Sequence, residues 1–319
     1  MSHNFPQTVA EVSLGAAYIF VVSAIVTSKR KVFKNAFYTL FVATGIADIF
    51  AIYISIFFRV VRQNGVGPEI QYLISICVVV SGVTFFGHMI GNLIIAINRY
   101  SALCLMKKYD KIWTRKNVGI IVVLQYAAAF TAVSPLIGTK LVYTPNADGT
   151  YTFAGLEERA DLINKYTAFG VCVTYASASV AVNIRLIMEW HRLSKLGASR
   201  YGRQEKGLLF YALFVFASSM LMCAQQFLKV FAIYTGNEKL KLWVSMQWFW
   251  INDLMISIPP FFILLLSAEL RKVIVGIILC KSCGNSGIAT NVTRTSHHSA
   301  LGRDSSTNVR GTTDIVSTF

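Results

Sequence analysis

Charge is distributed so unevenly along the chain that it sets off seven long apolar runs: Val9 to Thr27, Ala36 to Phe58, Ile70 to Ile97, Val118 to Gly138, Tyr166 to Met188, Leu208 to Tyr234 and Leu242 to Ser267. A helix that crosses roughly 30 Å of hydrocarbon needs about 20 largely apolar residues, because each backbone polar group must be satisfied inside the segment. Each run is long enough, and the pattern predicts seven transmembrane helices. The stretch from Glu269 to Ile278, charged in its first turn and apolar after it, reads as a short amphipathic helix lying at the membrane interface. From Gly284 onward the chain is rich in Ser, Thr, Gly and Asn, with few large apolar residues, and is expected to be disordered.

Composition agrees with a lipid solvent. Hydrophobic residues make up 55% of the chain and charged residues 14%, with a mean hydropathy of +0.54, which no soluble surface of this size would carry. The fold class expected is therefore an all-α membrane protein, a seven-transmembrane helix bundle.

The net charge of +15 raises nucleic acid as a partner, but the placement of the charge argues against it. Basic residues collect on alternate loops: Lys29, Arg30, Lys31 and Lys34 after the first run, then Arg99, Lys107, Lys108, Lys111, Arg115 and Lys116 after the third. Arg185, Arg192, Lys195, Arg200, Arg203 and Lys206 surround the loop between the fifth and sixth, and the tail adds six more, so these groups hold about 22 of the 30 Lys and Arg residues. Positive loops resist translocation, which places them and the C-terminus in the cytoplasm and the N-terminus outside. The expected organisation is an extracellular N-terminus over 1–8, a seven-helix core over 9–267, an interfacial helix over 268–283 and a cytoplasmic tail over 284–319. No basic residue precedes Val9, so the first run is expected to stay as an anchor.

Polar residues inside such helices are costly and become the candidate chemistry, with interhelical packing as the rival explanation. Asp48 lies mid-way along the second run, His88 and Asn92 share one face of the third, and Asn252 and Asp253 lie on the seventh. A buried polar cluster of these five is expected, serving either as structural hydrogen bonding or as a conformational switch. A ligand pocket between the outer halves of the helices would draw on Ser81, Phe85, Gln225, Gln226, Gln247, Trp248, Phe249 and Trp250. No metal-ligand cluster, phosphate-binding glycine loop or close carboxylate pair is visible, so neither an enzyme, a metal site nor a cofactor is expected.

Five of the six Cys residues fall in the membrane or on the basic side, where thiols stay reduced, and the loop Thr139 to Lys165 offers no partner for Cys77. Cys280 and Cys283 follow the amphipathic helix and suggest palmitoylation. Ser305-Ser306-Thr307 and Thr312-Thr313 suggest phosphorylation by a kinase, and Ser317-Thr318-Phe319 a PDZ domain.

Asn98-Arg99-Tyr100, closing the third run before a basic loop, resembles the D/E-R-Y signature of rhodopsin-like G-protein-coupled receptors, and Ala47-Asp48 supports the likeness. Several marks of that family are absent: Asn98 stands at the acidic position, the sixth run has no Pro, and the seventh carries Ser257-Ile258-Pro259-Pro260-Phe261 in place of N-P-x-x-Y. With Trp250-Ile251-Asn252-Asp253-Leu254 and Leu265-Leu266-Ser267-Ala268-Glu269-Leu270-Arg271, residues 8 to 280 resemble a nematode serpentine chemoreceptor of the gamma superfamily, class V. The resemblance implies a plasma-membrane receptor, also of sensory cilia, that binds a small-molecule ligand and engages a heterotrimeric G protein through Asn98, Arg99 and Tyr100. A transporter or channel is the alternative, but no repeated halves support it.

Overall fold

The computed structural model describes residues 5–65, 67–145, 149, 151–195 and 203–284. The chain divides into two units, Met1–Ile278 and Leu279–Phe319, and only the first six residues of the second are described. The tail with its phosphorylation and PDZ candidates lies outside the described residues.

Nine α-helices are described: α1 (Phe5–Thr27), α2 (Ala36–Gln63), α3 (Gln71–Cys104), α4 (Met106–Ile112), α5 (Arg115–Val133), α6 (Glu158–Lys195), α7 (Arg203–Tyr234), α8 (Glu238–Leu266) and α9 (Ala268–Gly284). Seven are long and apolar enough to cross a membrane, all but the short α4 and the terminal α9. Their starts carry local instructions. Asn35, Thr114 and Asn237 each accept a backbone N–H from three residues on, capping α2, α5 and α8. Pro259 and Pro260 lie inside α8 and remove two backbone donors from its C-terminal half.

The third span, α3, is the hub and packs against α2, α5, α6 and α7. Glycine permits the tightest approach: a Cβ on Gly91 would lie 2.2 Å from Thr44 Oγ1 and 2.7 Å from Gln125 Nε2. The largest buried cluster joins Tyr18, Phe37, Tyr38, Phe41 and Tyr211 with aliphatic residues of seven helices. Phe37 meets the rings of Tyr38 and Tyr211 edge-on at 5.1 and 5.5 Å. Apolar side chains such as Val123, Leu124, Phe130 and Leu265 face outward, as a lipid solvent allows.

Between α5 and α6 the structure departs from a plain connection. Leu141–Pro145 (β1) and Tyr151–Leu156 (β2) form an antiparallel hairpin, and α6 begins eight residues before Tyr166. Hydropathy overlooks that first turn because Glu158, Arg159 and Asp161 make it polar. The hairpin lies over the α2–α3 turn, where Tyr151 N–H donates to the Gly65 carbonyl at 3.1 Å and Phe153 stacks on Phe58. It is pinned there by backbone and aromatic contacts.

Candidate functional site

In the middle of the bundle Asp48 is 1% exposed and both its oxygens are occupied. Tyr18 of α1 donates its hydroxyl to Oδ2 at 2.6 Å, and His88 Nδ1 of α3 meets Oδ1 at 2.5 Å. Gly45, one turn before Asp48, makes room for the phenol: a Cβ there would lie 3.0 Å from the Tyr18 ring. The opposite imidazole nitrogen, Nε2, is 2.7 Å from Asn92 Nδ2, which also reaches Ser219 Oγ of α7 at 3.5 Å. With Nδ1 donating to the carboxylate, Nε2 is left to accept from the amide. One hydrogen-bonded line thus links side chains of α1, α2, α3 and α7. Tyr175 and Ser179 of α6 line a small cavity beside Asn92.

Of the five residues expected to cluster, Asp48, His88 and Asn92 bond in sequence. Asn252 lines a small cavity with Asp48, Ser55, His88 and Trp248, with room for about one water molecule. Asp253 lies elsewhere. At the N-terminal end of α1 it accepts from Gln7 Nε2 at 3.0 Å and faces Glu11, whose Oε1 is bound by Arg59 of α2. Successive residues on a helix point about 100° apart, so Asn252 and Asp253 serve two different groups.

The pocket candidates divide in the same way. Ser81 and Phe85 line the cavity beside Asp48. Gln225 donates to the Val244 carbonyl at 3.1 Å, fastening α7 to α8, while Gln226 contacts Met222 Sδ at 3.9 Å. Trp250 is half exposed on the outside of α8, bonded to Gln247 Oε1. Trp248 points into the cavity, and Phe249 is described only in its backbone.

At the opposite, basic end of the bundle the guanidinium of Arg99 lies over the Phe37 ring, 4.3 Å from its centroid, and Arg99 is only 5% exposed. Asn98 donates to the Tyr109 hydroxyl of α4 at 3.1 Å, and its Oδ1 lies 3.5 Å from Arg99 Nη2. Tyr100 packs with Leu103, Leu186 and Leu209 between α3, α6 and α7. Beyond the last span, Lys272 and Arg30 hold the Glu269 carboxyl below the usual glutamate range. Cys280 and Cys283 fall on the last turns of α9, where only the backbone is described.

A family model described as serpentine type 7TM GPCR chemoreceptor Srv matches residues 10–280. The chain belongs to that family. It is a seven-helix membrane protein with a GPCR-like chemoreceptor role, in a family of receptors rather than of enzymes. No curated protein matches it.

Within this Srv receptor the sequence reading passed over Tyr18, Phe37, Glu11, Arg59 and Ser219. Tyr18 and Phe37 look like ordinary apolar content of their helices, and Ser219 is one of many serines. Arg59 and Glu11 were the visible signal, since each is a charge at the edge of an apolar run.

Proposed function

We propose that the receptor binds an extracellular small molecule and, through rearrangement of its polar core, activates a cytoplasmic heterotrimeric G protein at the Arg99 end. The observation that carries this reading is the hydrogen-bonded line Tyr18–Asp48–His88–Asn92–Ser219, midway between the hairpin end and the Arg99 end. A line of this kind has two discrete arrangements, intact or broken, and a ligand that binds one of them better shifts the population. The cavity beside it, with Ser81, Phe85 and Asn252, is where a ligand-driven shift of α8 against α3 would reach Asp48.

Topology follows the charge: the hairpin and N-terminus outside, the Arg99 end and tail in the cytoplasm, in the plasma membrane including that of sensory cilia. Acyl chains on Cys280 and Cys283 would fasten α9 to the inner leaflet, and a phosphorylated tail would recruit arrestin. The test is expression in a reporter cell screened with volatile and water-soluble metabolites, with Arg99→Ala as control. A ligand response that survives Arg99→Ala unchanged would overturn the mechanism, and solute movement without any G protein would favour a transporter.

A further inference from the structure

Beside the basic end, α4 and the first turns of α5 enclose an open groove of about 680 Å3, lined by Lys108, Lys111, Ile112, Asn117, Ile120 and Ile121. Its walls are already fixed. Thr114 Oγ1 accepts from the Asn117 N–H at 3.3 Å, and Asn117 Nδ2 donates to the Ile112 carbonyl at 2.9 Å. Behind them the buried Trp113 donates its indole N–H to Ser101 Oγ at 2.6 Å.

The two ends of the groove differ in chemistry. Lys108 and Lys111 are exposed, one turn apart on α4, and neither forms an ion pair among the described residues. From Leu105 to Asn117 the only acid is Asp110, against Lys107, Lys108, Lys111, Arg115 and Lys116. Ile120 and Ile121 belong to the membrane span Arg115–Leu136, and Ile120 is 49% exposed. A pair of ammonium groups at the boundary, continuous with an apolar strip that runs into the hydrocarbon, matches an amphiphile with an anionic head. A soluble anion would satisfy the lysines and leave the isoleucines uncovered.

We propose that this groove binds one anionic phospholipid, its phosphate on Lys108 and Lys111 and an acyl chain along Ile120 and Ile121. Basic pockets at helix ends select such headgroups, and α5 begins here, so the positive end of its backbone dipole adds to the lysines. The site also reaches the coupling triplet. Tyr109 lies between the two lysines in α4 and accepts the hydrogen bond of Asn98, the neighbour of Arg99. A lipid that clamps α4 therefore biases the Asn98–Arg99 segment, and this regulatory half rests on the coupling role proposed above.

The test uses the full chain in phosphatidylcholine nanodiscs containing phosphatidylserine, with the lipid retained in neutral detergent measured by native mass spectrometry. Lys108→Ala with Lys111→Ala is compared with Lys107→Ala with Lys116→Ala, which removes the same charge outside the groove lining. The groove pair is expected to lower affinity for the bound lipid by about 30-fold, taking about fivefold per lysine, and the control pair far less. Ile120→Asn, which keeps every charge, is expected to weaken retention as well, and millimolar inorganic phosphate to leave it unchanged. Equal losses in both double variants would reveal diffuse surface attraction and overturn the site, as would full retention by the groove pair or displacement by phosphate. In reporter cells, lipid loss with unaltered signalling in a responding receptor would overturn the regulatory half alone. The mass measurement reads the lipid site without any G protein.

Discussion

Tyr18 donates to Asp48 Oδ2 at 2.6 Å while His88 holds the other oxygen at 2.5 Å, so a carboxylate deep in the bundle is capped from both sides. A buried carboxylate that loses one of two donors keeps its desolvation cost without the compensating bond. Tyr18→Phe preserves the ring and its packing on Phe41 and removes only that donor. The expected loss is about 1–2 kcal/mol, between the larger values for charged partners in water and the smaller ones measured between membrane helices. Thermal unfolding in detergent would show it, and an unchanged midpoint would mean that His88 alone suffices.

Phe37 is the surface on which Arg99 rests, and a cation over an aromatic face contributes about 0.5–2 kcal/mol, increasing as water is excluded. Phe37→Leu removes the ring face while keeping an apolar side chain. Raised ligand-independent signalling is expected, because Arg99 leaves its resting position more readily, with Phe37→Tyr near the parent level. Basal reporter output equal in all three proteins would show that Phe37 only fills space.

The pair Arg59–Glu11 is buried to 10% and 4% side-chain exposure, with Asp253 beside it. Removing the single cation leaves two facing carboxyls, so Arg59→Ala is expected to destabilise by about 3–5 kcal/mol. Arg59→Ala combined with Glu11→Ala should recover part of that loss. A double-mutant cycle on the unfolding midpoint measures the coupling, and additive losses would show that the ion pair contributes nothing of its own.

Gly91 lets α2 and α5 approach α3, and the Cβ of Gly91→Ala would overlap Thr44 Oγ1. A destabilisation of about 1–3 kcal/mol is expected from the forced shift. Adding Thr44→Ala removes the closest atom and should restore part of the stability in the same assay. If Gly91→Ala leaves the midpoint untouched, the helices are free to separate there.

Much of the bundle was legible in advance because membrane insertion reads a local property. All seven apolar runs overlap the seven spans, and the ends differ where helices continue past the hydrocarbon in polar turns, as α6 does at Glu158 and Lys195. The i,i+4 spacing of His88 and Asn92 likewise predicted a shared face, and the two side chains meet at 2.7 Å. The hairpin was not legible, because nothing in a short polar-aromatic loop specifies pairing until the α2–α3 turn supplies Gly65 and Phe58 as its platform.

By itself the sequence determined the number of spans, the basic character of one end of the bundle and the place of Asn98-Arg99-Tyr100, all of which depend on residue type and order along one segment. Tertiary structure alone decided that Tyr18 joins Asp48 across 30 residues, that Asn92 reaches Ser219 across 127, and that Asp253 turns to Gln7 and Glu11 instead. The physical reason is rotational. Hydropathy says that a helix is buried in lipid, but which polar side chain meets which is set by how each helix is turned about its axis when close packing around α3 brings the bundle together.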